Sequence, residues 1–254
     1  MTARAKGDVL LEFGGVSYSY DGVRALDGVS FSVGRGELVS VFGPNGSGKS
    51  TLLRLACGAL KPAGGSITAA GRPLGGLTPR ELSALAAYVP SEPYIPFDFT
   101  ALDIALMGRS PLLRWWQDYG PADRAAALRA LESCGVAPLA GRGINSLSSG
   151  ERQLAFLAQA MAGGAPLLLL DEPTSHLDLK YRSAFFETLA ALTAGGLTAI
   201  VASHDLRLAA SYSTSALVLA GGKVLFSGPA DGAVSPPLLA EAYAITPEAA
   251  ARLA

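Results

Sequence analysis

Two spacings of apolar residues alternate along this chain. Over residues 9–20 they fall on every second position (Val9, Leu11, Phe13, then Val16, Tyr18, Tyr20), the period of a strand with one buried face. Asp21-Gly22 predicts a turn, and alternation resumes over 26–33 before Gly34-Arg35-Gly36 turns again. This opening reads as a small antiparallel sheet. The pattern then changes to short runs with no polar alternation: 38–42, 167–170 and 197–203. Such runs are expected of parallel strands buried on both faces. Shorter strands are predicted over 66–69 and 86–89, and a hairpin over 216–219 and 224–226 around Gly221-Gly222.

Helical stretches lie between these strands. Residues 50–56 run without Gly or Pro, and Lys61-Pro62 stops them. Thr78-Pro79-Arg80-Glu81 combines an N-cap, a proline at the first helical position and an acidic first turn, opening a helix to 85. Residues 71–77 read as loop. After Pro90 the pattern becomes helical for a long stretch, 100–107 with Thr100 as cap and 122–134 with Ala125, Leu128 and Leu131 at helical spacing. A further helix runs to 161 and another covers 181–192. The helical stretch interrupts an otherwise alternating pattern, so it is expected to form an inserted subdomain. Trp115 and Trp116, the two tryptophans of the chain, lie inside it and read either as subdomain packing or as a partner-contacting surface. The tail beyond 235 is Pro-interrupted and Ala-rich, suggesting one or two short helices without evident chemistry.

Composition narrows the classes. A length of 254 residues suits one large core with a subdomain. The net charge of −1 gives no general attraction to nucleic acid or anionic lipid, and no nucleic-acid partner is expected. Only 16% of residues are charged while half are hydrophobic, so part of the surface is expected to be covered by partners. Cys57 and Cys134 have no motif spacing and read as reduced thiols. No signal peptide is visible at the N-terminus, and the most apolar window, 154–170, is broken by Gln159, Gly163, Gly164 and Pro166. A membrane role must therefore come through a partner.

The chemistry concentrates at the ends of the buried strands. Gly43-Pro44-Asn45-Gly46-Ser47-Gly48-Lys49-Ser50-Thr51 fits G-x-x-x-x-G-K-[S/T] with a strand before it and a helix after it. Its glycines let backbone N–H groups close around a polyphosphate, aided by the positive end of the helix. Lys49 supplies a cation for the β and γ phosphates, and the Ser50 hydroxyl a ligand for Mg²⁺. The pattern predicts nucleoside triphosphate binding. Asp171 and Glu172 follow the four leucines at a strand's carboxyl end, where an open α/β sheet places its ligand. One of two adjacent acids can hold Mg²⁺ while the next orients or deprotonates the attacking water. His204, one of two histidines, also falls at a strand's carboxyl end, which turns its reading toward the γ-phosphate. Tyr20 suits either stacking on a nucleobase or packing on the sheet.

In this order the segments resemble the ATP-binding subunits of ABC transporters, from about residue 9 to 228. Residues 43–51 are similar to the Walker A motif, 167–172 to Walker B, Leu147-Ser148-Ser149-Gly150-Glu151-Arg152-Gln153 to the family signature, Ser175-His176-Leu177-Asp178 to the D-loop and His204 to the switch histidine. Tyr20 matches the aromatic position that stacks on adenine. The resemblance implies an α/β fold: a P-loop NTPase (RecA-like) core with an N-terminal antiparallel β subdomain and an inserted α-helical subdomain. It implies one domain over 9–232 (core 9–90 and 155–232, helical subdomain 91–154) and a helical tail over 233–254. It also implies ATP and Mg²⁺ as cofactors, with Glu172, His204 and Lys49 catalytic and Ser50, Asp171 and Ser91 near the metal. Nucleotide contacts fall to Tyr20, residues 43–51, Ser148, Gly150, Glu151 and Asp178, with Ser148 and the Gly150 backbone presented by a second copy paired head to tail. Closure of that pair around ATP would drive integral membrane permease subunits, with a substrate-binding protein upstream. The location implied is peripheral, on the cytoplasmic face of the inner membrane.

A narrower resemblance, to ATPases of importers for iron-siderophore complexes, haem and vitamin B12, rests on Gly108-Arg109-Ser110-Pro111, the run 172–178, and His204-Asp205-Leu206 with Leu208-Ala209. Two positions depart from the family. Ser149 stands for the first signature glycine, and Ser91 for the glutamine expected after Val89-Pro90. Ser91 is too short for that glutamine's reach, so a bridging water or Glu92 would have to substitute. The alternative is an ATP switch or clamp with weak hydrolysis and no permease. Single-unit length, no heptad run and no basic arm argue against a clamp.

Overall fold

The computed structural model describes residues 9–91, 93, 95 and 97–253. The first strands, β1 (Val9–Tyr20) and β2 (Val23–Gly34), form an antiparallel pair. β3 (Leu38–Phe42) then leads through the 43–48 loop into α1 (Lys49–Ala56). β4 (Gly64–Ala69) and β5 (Arg72–Pro73) return to the first pair, giving an antiparallel sheet ordered β2-β1-β4-β5. Residues 71–77 are thus not all loop. Arg72 and Pro73 pair with Ala69 and Thr68, and a 3₁₀ turn follows over Leu74–Gly76. Two residues are too few for periodicity to register.

Next come α2 (Pro79–Leu85), β6 (Ala86–Val89), α3 (Ala101–Met107), α4 (Pro121–Ser133) and α5 (Ser149–Ala162). The chain continues through β7 (Leu167–Asp171), α6 (Leu179–Ala194), β8 (Thr198–Ala202), α7 (Leu206–Tyr212), β9 (Ser215–Ala220) and β10 (Lys223–Pro229), and ends with α8 (Pro236–Tyr243) and α9 (Pro247–Leu253). The second sheet is ordered β10-β9-β3-β8-β7-β6. Its strands run parallel except β10, which is antiparallel to β9.

This sheet is covered on both sides, which explains the unbroken leucines. Leu168 and Leu170 face a core built with α3 to α6, joined by Ala199 and Val201 of β8. Leu167 and Leu169 face the opposite core with α1 and the antiparallel sheet, joined by Ile200 and Ala202. Every residue of β3, β7 and β8 is buried, as a two-sided parallel strand requires. Alternation in β1 and β2 has the complementary cause, since one sheet face there meets core and the other water.

Helix starts follow their side chains. Thr78, Thr100 and Ser148 each accept a bond from the backbone N–H three residues on, while Glu81, Asp103 and Glu151 bond back to the cap. α6 opens earlier than its apolar spacing suggests, because Asp178 caps it by accepting the Tyr181 N–H at 3.0 Å. α7 was not foreseen from the sequence: seven residues give two turns, too few for the spacing to register. α5 runs unbroken from the inserted helices into the core, packing on α3 and α4 and reaching β6 and α6.

Candidate active site at the carboxyl ends of the parallel strands

β3, β7 and β8 are adjacent in the sheet, so the residues after them are gathered at one edge. After β3 the 43–48 loop turns on left-handed backbone, with Gly43 at φ 146° and Gly48 at φ 103°. A Cβ on Gly43 would run into the Leu219 carbonyl, and one on Gly48 would lie 2.7 Å from the Ala25 carbonyl. Both positions therefore require glycine for conformation and for space. Lys49 opens α1 almost wholly buried, its Nζ donating to the Gly43 carbonyl at 3.0 Å and the Pro44 carbonyl at 3.2 Å. Burial lowers its pKa, opposed by the negative charges of Glu172 and Asp171.

After β7, Asp171 accepts two hydroxyl bonds, from Ser50 Oγ at 3.0 Å and from Tyr88 at 2.9 Å. Glu172 follows at φ 49°, a left-handed conformation unusual outside glycine, with its N–H donating to the Ala202 carbonyl at 3.1 Å. Holding such a residue costs about 1–3 kcal/mol, and strain of this kind collects at functional sites. The turn brings Glu172 Oε1 to 2.7 Å from His204 Nε2 and 3.8 Å from Lys49 Nζ. Lys49, Asp171, Glu172 and His204 are thus brought together at one edge of the sheet.

A cavity of about 440 Å³ runs along the loop, lined by Tyr20, Val23, residues 45–51 and Glu172. Tyr20 is 40% exposed and rests edge-on against Tyr18, with ring centroids 4.9 Å apart. A second cavity of about 360 Å³ joins Glu172 to Ser203, His204 and Asp205. Neither is lined by Ser148, Gly150, Glu151 or Asp178. These four do local work: Ser148 and Glu151 cap α5, Asp178 caps α6, and Gly150 is overlaid by the Tyr181 ring. Ser91 is exposed, two residues beyond the Val89–Leu170 pairing at the end of β6. Glu92, its suggested substitute, lies outside the described residues.

Three site neighbours escape sequence reading. Tyr88 holds Asp171, and its phenol pKa is pushed up to about 12 chiefly by burial. The Arg54 guanidinium lies against the hydroxyls of Tyr88 and Tyr20. Tyr243, from the tail, touches Gly43. No spacing announces these contacts, which arise only when β6, α1 and α8 pack. The two tryptophans are exposed, Trp115 at 93% and Trp116 at 62%, so packing within the subdomain does not account for them. Their rings meet edge to face at 5.4 Å, with Arg114 over Trp116. An apolar groove of about 500 Å³ lies nearby, between core and inserted helices, lined by Pro90, Pro93, Ile95, Met107, Pro111 and Phe156 among others.

A parallel sheet whose strand–loop–helix cradles a buried lysine, with an acid pair at the same edge after the next strand but one, defines a P-loop nucleotide-binding protein. The particular family follows from comparison. The family model described as ABC transporter matches residues 26–175. The chain is 38% identical over 243 residues to the hemin import ATP-binding protein HmuV of Nocardia farcinica, covering 96% of this chain and 83% of that one. It is 39% identical over 235 residues to the cobalamin import ATP-binding protein BtuD of Halobacterium salinarum, covering 92% of this chain and 58% of that one. Among solved structures it resembles the dimeric post-hydrolysis state of the ATP-binding cassette MJ0796 bound to ADP and Pi, at TM-score 0.73 and 27% identity, covering 87% of this chain and 99% of that one. The chain belongs to the ABC transporter family and is an ATPase of that type.

The crowding around Gly43 gives a direct test. Gly43→Ala is expected to weaken nucleotide binding at least about tenfold, because the loop must move to admit the methyl group. Titration with a fluorescent ATP analogue measures this.

Proposed function

We propose that the chain is the ATP-hydrolysing subunit of an importer for a metal chelate of siderophore, haem or cobalamin type. The observation that carries this is its similarity, over more than nine-tenths of its length, to hemin and cobalamin import ATP-binding proteins. The proposed ATPase domain spans 9–232, with residues 91–154 as the helical subdomain and 233–254 as a tail.

In the proposed mechanism Tyr20 stacks on the adenine while the N–H groups of the 45–51 loop and the α1 N-terminus take the phosphates. Lys49 keeps its bond to the Gly43 carbonyl and turns from the Pro44 carbonyl to the β and γ phosphates, gaining a fully charged partner in place of a dipole. Ser50 and Asp171, joined at 3.0 Å, are a hard-oxygen pair that would hold Mg²⁺. The metal would supply charge neutralisation on the transferring phosphate. Glu172 orients and deprotonates the attacking water. His204, whose Nε2 lies 2.7 Å from Glu172 Oε1, faces the γ-phosphate.

The signature residues lie outside the cavity beside the loop. A second copy therefore supplies Ser148, the Gly150 backbone, Glu151 and Asp178, and an α5 N-terminus that favours the γ-phosphate charge. Each of these is already fixed by a cap or a ring, so little ordering entropy is lost on closure.

The apolar groove between core and inserted helices suits a permease segment. No described helix is long and apolar enough to cross a membrane. Attachment is peripheral in this reading, through the permease, on the cytoplasmic face of the inner membrane. A substrate-binding protein delivers the cargo, which nothing in this chain contacts.

Two variants test these roles. Glu172→Gln is expected to lower ATP hydrolysis at least about a hundredfold while ATP affinity stays within about twofold, because the water loses its base but the phosphate contacts remain. Ser91→Gln is expected to change hydrolysis or its stimulation by the permease, since it restores reach toward the metal. Identical basal and stimulated rates in that variant would remove Ser91 from the coupling account.

A further inference from the structure

The tail shows no chemistry in its sequence, yet it reaches the phosphate loop. Tyr243 ends α8, and its hydroxyl accepts a hydrogen bond from the Gly43 N–H at 3.1 Å. We infer that Tyr243 is a positioning residue for nucleotide binding: it fixes the peptide of Gly43, whose carbonyl in turn holds the Lys49 ammonium.

Three observations carry this. First, Gly43 is gripped at both polar ends, its N–H by Tyr243 and its carbonyl by Lys49 Nζ at 3.0 Å. A rotation of the residue would disturb the lysine directly. Second, Gly43 is buried against the Leu219 carbonyl of β9, so one flank is backbone and the other is the phenol. Without the hydroxyl its buried N–H would lose its partner, and the loop could recover one only by shifting. Third, Tyr243 is itself well held. Leu239 and Ala242 of α8 are buried in the main core, α8 packs on β9, and Ala244 closes the helix in the left-handed conformation at φ 52°. Burial raises the phenol pKa, so the hydroxyl stays neutral at ordinary pH and keeps its lone pairs for the Gly43 N–H.

This role rests on the 43–51 loop being the nucleotide site, and the experiment separates the two. ADP affinity in the presence of Mg²⁺ is measured by calorimetric titration, and the melting temperature of the nucleotide-free protein by differential scanning calorimetry. The proteins compared are the natural chain, Tyr243→Phe and Leu131→Ala, the last at a buried residue of α4 in the inserted helices. Tyr243→Phe keeps the ring and removes one oxygen. The expected result is ADP affinity about five- to tenfold weaker, with a melting temperature within about 2 °C of the natural chain. Leu131→Ala is expected to melt several degrees lower through the lost packing, with affinity changed less than about twofold. Failure of the natural chain to bind ADP would overturn the nucleotide site itself. If the natural chain binds and Tyr243→Phe binds equally well, the positioning role alone is overturned. It is likewise overturned if both variants lose affinity in proportion to lost melting temperature.

Discussion

The Glu172 carboxylate, held 2.7 Å from His204 Nε2 and 3.8 Å from Lys49 Nζ, is the contact on which the rest of the site depends. Its three members come from loops after β7, β8 and β3, so the contact exists only if those strands are neighbours ending at one edge. The strand order and the two-sided cores that bury it serve this alignment. So does the strained backbone at Glu172, which turns the side chain off the line of β7. In that position the carboxylate borders both cavities, one running along the phosphate loop and the other beneath His204.

Much of this was legible in the residues. The four leucines before Asp171 specify a strand buried on both faces, and the structure divides them two and two between its cores. Thr78, Thr100 and Ser148 announce helix starts because a capping box is local chemistry within four residues. The glycines of the phosphate loop are legible for the same reason. Contacts made by packing were not. Tyr88, Arg54 and Tyr243 approach Asp171, Tyr20 and Gly43 from elements far apart in sequence, and a tyrosine in a strand or a tail helix looks the same whether or not it meets an active site. The helix α7 was missed because two turns carry too few residues for a period to show.

Several residues have two uses that a motif alone does not separate. Glu151 and Asp178, expected near nucleotide, are spent on caps in the single chain. The two roles are compatible, since a cap fixes the backbone N–H groups that would face a phosphate on a neighbouring copy. The Gly150–Tyr181 contact has the same effect, locking α5 against α6 just where the signature would meet its partner. On the proposed head-to-tail pairing, the phosphate loop and the signature would each be half of a site.

The most direct measurement is the sedimentation of the Glu172→Gln chain with ATP, with and without Ser148→Arg added. The account predicts that the single variant sediments as a pair of 25.9 kDa chains. It predicts that the double variant remains single while binding ATP with unchanged affinity, because Ser148 lies outside the nucleotide cavity of its own chain. Pairing in both proteins, or loss of ATP binding by the lone double variant, would contradict it.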